Sequence, residues 1–308
     1  MIIRERPSLG RLFFIVRGSI VQRIYPQILV VMAMSAIVVA GHRLVPQWVP
    51  SVNGAPFALI GIALSIFLSF RNGACYDRWW EARKAWGELL VASRDLARQS
   101  ELFARRGPAA AETRRQILML TVVLADETVK FLRGGECPND SATRLLPPDV
   151  RDAVRSARHA PLEVSNRIGR LLVDLRDTGI LTDIEFSLFD RTLNRLTGAF
   201  AACERLRTTP VPFGYTLLLH RTAHIFCFIM PFGFADVLGP ATPLAAGLVA
   251  YTFFGLDALG DELEEPFGTL PNDLPIAAIA TVIEIDLRSM LGDTDLPTMP
   301  EPVDYILM

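Results

Sequence analysis

The sequence predicts an all-α membrane protein: four transmembrane helices, with a large helical cytoplasmic region between the second and the third. Three observations carry this. Charged residues crowd into residues 71–210 and 257–308, leaving long apolar stretches elsewhere. Two such stretches lie near the N-terminus and two lie late, each near the about 20 residues that a bilayer core about 30 Å thick requires. Lysine and arginine flank these stretches almost entirely on one side, with Arg43 the exception. Whole-chain averages hide the pattern, because 51% hydrophobic and 21% charged residues over 308 positions lie close to soluble values of about 45–50% and about 25%. A formal charge of −2 supplies no basic field, which argues against a nucleic-acid partner.

The first span covers residues 25–41 and ends at His42-Arg43; the second covers 53–70 and ends at Arg71. The third, 211–234, carries His220, Arg221 and His224, and the fourth, 239–256, is uncharged until Asp257. Residues 117–125 are also apolar, but too few to cross a bilayer, and read as a soluble core helix. Arg4, Arg6, Arg11, Arg17 and Arg23 precede the first span, and Arg71, Arg78, Arg83 and Lys84 follow the second. The two short loops hold only Arg43 and Asp236. Basic residues stay on the cytoplasmic side, so both termini and the middle segment are expected there. No cleavable signal is evident, since the apolar run 12–16 is followed at once by Arg17. The expected division is a cytoplasmic segment 1–24, spans 25–76, a helical cytoplasmic region 77–210, spans 211–259 and a cytoplasmic segment 260–308.

The middle region reads as helix almost throughout. The second span continues without a breaker into a charged helix over 76–106, stopped by Gly107-Pro108. A helix over 109–132 follows and ends at Arg133-Gly134-Gly135. Residues 137–148 read as a loop, then short helices fall near 149–156 and 162–175. Thr182-Asp183-Ile184-Glu185 is a capping box opening a helix that runs to about Arg207, with Leu181 and Phe186 at the hydrophobic-staple positions. Cys75, Cys137, Cys203 and Cys227 stand far apart without a metal-binding or disulfide pattern, and read as buried free thiols. His159 falls in a charged loop and reads as exposed.

Within the second span, Ile62, Ile66 and Phe70 recur every four residues, as do Gly61, Ser65 and Ser69. Residues four apart share a helix face. Small residues let a second backbone approach closely in a membrane. The bulky stripe either faces lipid or, with copies of the helix around an axis, forms an apolar throat. Asp257, Asp261, Glu262, Glu264 and Glu265 follow the fourth span and are expected to be solvated or paired with cytoplasmic arginines rather than to bind a metal. Metalloprotease, nucleophile-elbow, P-loop and di-metal patterns are missing, so neither an enzyme nor a cofactor is expected.

Three motifs at their separations resemble the bestrophin family, in particular its bacterial members. They are the Ile62/Ile66/Phe70 stripe followed by Arg78-Trp79-Trp80, the run Pro210-Val211-Pro212-Phe213-Gly214-Tyr215-Thr216 before the third span, and Glu264-Glu265-Pro266-Phe267-Gly268 after the fourth. The match covers about residues 1–290. It implies a homopentameric ion channel of a bacterial inner membrane, with one axial pore and partners limited to monovalent ions, lipid and further copies of itself. The resemblance places the pore neck at Ile62, Ile66 and Phe70, and a cytoplasmic constriction at Ile180. Chloride or another anion is the ion by family, while monovalent cations pass through some bacterial members. Calcium-activated animal members carry an acidic run after Pro-Phe-Gly; here Thr269-Leu270-Pro271-Asn272-Asp273 leaves one acid, too few oxygens for calcium. Two other classes compete: a secondary transporter using His220 and Arg221, and a membrane-anchored scaffold binding a soluble partner through residues 76–207.

Overall fold

The computed structural model describes residues 1–4, 8, 10, 15, 18–47, 49, 52–135 and 139–308. In chain order the helices are α1 Val21–Leu44, α2 Ala55–Ala104, α3 Pro108–Leu132, α4 Ser141–Leu145, α5 Pro148–Ser156, α6 Ala160–Asp177, α7 Asp183–Thr208, α8 Phe213–Leu238, α9 Thr242–Glu264 and α10 Ile276–Met290. Among the described residues there is no β-strand, only isolated bridges linking Ile2 and Val303 to Ile306. The chain divides into two units: Arg4–Trp79 with Pro210–Pro266, and Met1–Ile3 with Trp80–Thr209 and Phe267–Met308. The 50 residues of α2 form one continuous helix whose first half belongs to the former and whose second half belongs to the latter.

The apolar unit contains α1, the first half of α2, α8 and α9. Among the described residues, Val21–Leu44, Ala55–Ala104 and Phe213–Glu264 are the stretches long and apolar enough to cross a membrane. The last is two helices, because Gly239 turns the chain at φ +53° and a 3₁₀ turn over Gly239–Ala241 separates α8 from α9. Glycine supplies such a φ without steric cost, and Pro240 beside it donates no backbone bond. α1 packs on both α8 and α9, and Val31, Leu64, Leu68, Phe226, Met230 and Phe254 lie in their shared core. A Cβ added at Gly233 would lie 2.5 Å from the Phe57 ring, so glycine is what lets that ring seat on α8.

In the helical body α3 is the central element, buried on every face from Ile117 to Val129 and packed against α6 and α10. The apolar run 117–125 thus lies in a buried core helix. Pro108 occupies the first helical turn, where its missing N–H costs nothing. The capping box forms at Thr182 and Glu185, and Leu181 is buried at the start of α7.

Two local expectations are corrected, and one helix has no counterpart among the expected elements. Residues 141–145 form α4 rather than loop, because Asp140 accepts a hydrogen bond from the Thr143 N–H and caps it. α10 in the C-terminal segment was not anticipated; its Glu284 is buried and held by Arg144 (3.0 and 2.8 Å) and Arg288 (3.0 Å). His159 is half-buried, its ring 5.6 Å from that of Phe131. Cys75, Cys203 and Cys227 are free and buried, and burial pushes the Cys203 thiol up to about 12. Cys137, Arg6, Arg11 and Arg17 lie outside the described residues.

Candidate functional site

Helix α2 presents two unlike faces. Ile62, Ile66 and Phe70 are 60%, 51% and 66% exposed, whereas Leu64, Leu68, Arg71 and Cys75 on the other side are buried. The buried positions recur at four- and three-residue steps, the spacing of one helix face. The small-residue stripe is divided. Gly61 receives the Phe226 ring, which a Cβ would meet at 3.1 Å, while Ser65 and Ser69 stay exposed. Ser65 satisfies its hydroxyl by donating to the Gly61 carbonyl at 2.8 Å. Ile62, Ile66 and Phe70 therefore lie together on an uncovered apolar surface.

One turn below Ile66, next to Phe70, the polarity reverses. Arg71 is 0% exposed, although in the sequence it reads as the charge that ends a span. Its Nη1 donates to Asp257 Oδ1 at 2.8 Å, and its Nη2 to Asp261 Oδ1 at 2.6 Å and Glu264 Oε2 at 3.4 Å. These acids stand at four- and three-residue steps, so α9 turns one carboxylate face toward Arg71. Gly260 makes the approach possible; a Cβ there would sit 2.5 Å from Asn72 Oδ1 and 3.2 Å from Arg71 Nη1. His220 Nδ1 donates to the second oxygen of Asp257 at 2.7 Å, and Arg23 donates to the second oxygen of Asp261 at 3.2 Å. Ionisable groups at membrane depth take partners, and Asp257, Asp261 and Glu264 find theirs in Arg71. At the far ends of α1 and α8, His42 pairs with Asp236 and also contacts the Val49 carbonyl at 3.2 Å.

Of the transporter candidates, His220 is engaged by Asp257 and its ring lies 4.3 Å from that of His224, while Arg221 is exposed. Asp273, the remaining acid after Pro-Phe-Gly, is buried and accepts the Leu270 N–H at 2.7 Å, so one of its oxygens closes the local turn.

Ile180 sits in the other unit, in the turn joining α6 to α7. Gly179 there adopts φ +75°. The Leu181 N–H reaches back to the Leu175 carbonyl at 2.9 Å. Ile180 itself is half-buried, and its carbonyl accepts a 2.5 Å hydrogen bond from Arg106 Nη1. The same guanidinium grips Glu185 through two bonds of 2.9 and 2.5 Å, which holds that carboxyl down at about 2. Arg106 was not legible as a site residue, since it stands 74 positions from Ile180 and looks like the end of a charged helix.

Four apolar helices with a buried cation paired across them define a multi-span membrane protein. A family model described as bacterial/fungal bestrophin protein matches residues 1–289. A voltage-dependent anion channel-forming protein of Mesorhizobium japonicum is 43% identical over 99% of this chain and 97% of its own. One from Escherichia coli is 37% identical over 96% of each. The crystal structure of a bacterial bestrophin homologue from Klebsiella pneumoniae superposes with a TM-score of 0.82 at 37% identity, covering 88% of this chain and 99% of that one. The chain belongs to the bacterial and fungal bestrophin family. It is an all-α membrane protein, and not an enzyme.

Proposed function

We propose that this chain assembles as a homopentamer around one axial pore and passes monovalent ions passively across a bacterial inner membrane. Its relatives from Mesorhizobium japonicum and Escherichia coli are named as anion channel-forming proteins, which favours anions, chloride first, as the carried charge. The neck is formed by Ile62, Ile66 and Phe70, and a second constriction by Ile180. Both termini and residues 77–210 lie in the cytoplasm, with spans in 25–76 and 211–259 and a cytoplasmic segment over 260–308.

The observation that carries this reading is the division of α2. Its bulky apolar stripe is left open while a fully buried arginine fixes the opposite face. Apolar constrictions can control permeation by dewetting without a charged ring. In liposomes, flux under opposed chloride and sodium gradients tests conduction, and the reversal potential reports the sign of the ion. Alanine at Ile62, Ile66 and Phe70 together should raise conductance; an unchanged current would remove these side chains from the pore.

A further inference from the structure

We propose that Arg106 is a positioning residue for the Ile180 constriction: it holds the Ile180 carbonyl and the start of α7 with one guanidinium, and so fixes where the Ile180 side chain points. The proposal rests on the reading of Ile180 as a constriction.

The residues on either side of Ile180 have local reasons to stay in place. Gly179 makes the left-handed turn after α6. Leu181 is buried and bonded back to the Leu175 carbonyl. Thr182 caps α7 by accepting the Glu185 N–H at 3.3 Å. Among the described residues, the bond from Arg106 to the Ile180 carbonyl is the hydrogen bond that holds the Ile180 backbone. Rotation of the peptide that follows Ile180 would swing this carbonyl away, so the bond restrains the backbone angle that aims the side chain.

Glu185 makes the restraint rigid. Its Oε2 accepts from the Thr182 N–H and the Thr182 hydroxyl, both at 3.0 Å, and also from Arg106 Nη1 at 2.9 Å. The helix cap and the guanidinium fork are thus one hydrogen-bonded unit. Arg106 in turn is set by the end of α2, where its N–H donates to the Phe103 carbonyl at 2.9 Å and the Phe103 ring packs 5.5 Å from Phe189 of α7. A planar fork can engage the carboxylate through two parallel bonds and still reach the carbonyl; a lysine ammonium cannot reproduce that geometry. The low value of the Glu185 carboxyl keeps the unit charged at any pH well above about 2.

The test measures, in planar bilayers, the permeability of a large ion relative to a small one: gluconate against chloride, or tetramethylammonium against sodium, according to the sign observed. Ile180→Ala should raise the ratio. Arg106→Ala should raise it in the same direction, Arg106→Lys should not restore it, and Arg106→Ala should add nothing when Ile180 is already alanine. If Ile180→Ala shifts the ratio and Arg106→Ala does not, the positioning role is overturned while the constriction stands. A lowered unfolding midpoint for Arg106→Ala with a wild-type ratio has the same meaning and assigns Arg106 to stability alone. A wild-type ratio for Ile180→Ala removes the constriction, and the positioning role with it.

Discussion

Replacing Arg71 with methionine keeps much of the side-chain volume and removes the charge that three carboxylates of α9 face. The guanidinium is fully buried and its two shortest bonds measure 2.8 and 2.6 Å. Charge-assisted bonds of this kind contribute about 1.5–3 kcal/mol each, and orphaning one partner of a buried pair costs about 3–5 kcal/mol. The exposure of Asp261 places Arg71→Met near the low end, at about 3 kcal/mol. The side chain of Asp261 is 36% exposed and keeps Arg23, so it can rehydrate, whereas Asp257 is 6% exposed and retains only His220. SDS-titrated unfolding in mixed micelles, followed by ellipticity, measures the loss. Adding Asp257→Asn to Arg71→Met should recover part of it, because the worst-placed orphan charge is then gone. A single mutant within about 1 kcal/mol of the parent, well short of the expected buried-pair loss, would refute the claim that these acids depend on Arg71.

Two further outcomes follow from the fold. Burial pushes the Asp126 carboxyl up to about 6 from 3.8, so the folded chain keeps a proton that the unfolded chain releases between those values. Stability should therefore fall as pH rises through that window, by up to about 3 kcal/mol for about two pH units. Asp126→Asn should flatten this part of the unfolding profile between pH 4 and 7, and an unchanged slope would contradict it. Gly233→Ala should destabilise by about 1–3 kcal/mol through overpacking, since its Cβ would lie 2.5 Å from Phe57. Gly73→Ala, with nothing within 4 Å, should instead stabilise α2 by about 0.5–1 kcal/mol; equal midpoints for the two would show that the Phe57 contact is soft.

What the sequence disclosed and what it hid follow from the range of the forces involved. Hydropathy is local, so the apolar spans and the core character of residues 117–125 were legible, whereas the break expected over 235–238 falls at Gly239, after the helix has run on to Leu238. The capping box was legible for the same reason, as it is complete within residues 182–185. α10 had local signals too, with Pro275 before it and Gly292 at φ +84° beyond its end, but its apolar face is subdued by Glu284 and Asp286. Arg71 was different in kind. Its carboxylate partners stand 186, 190 and 193 positions away, and nothing near Phe70 signals that the next charge turns inward. Ile62, Ile66 and Phe70 formed a visible stripe, yet periodicity alone could not say whether lipid or a neighbouring copy covers it.

Only 17% of the apolar window of α2 is buried within the chain. A separate subunit therefore carries a debt of uncovered hydrocarbon surface that its own fold does not discharge. In the homopentamer proposed above, the last stage of folding would be association, in which sister helices close over part of that surface. The apparent stability of such an assembly would depend on concentration as well as on temperature, and dilution in detergent would act on it much as a denaturant does.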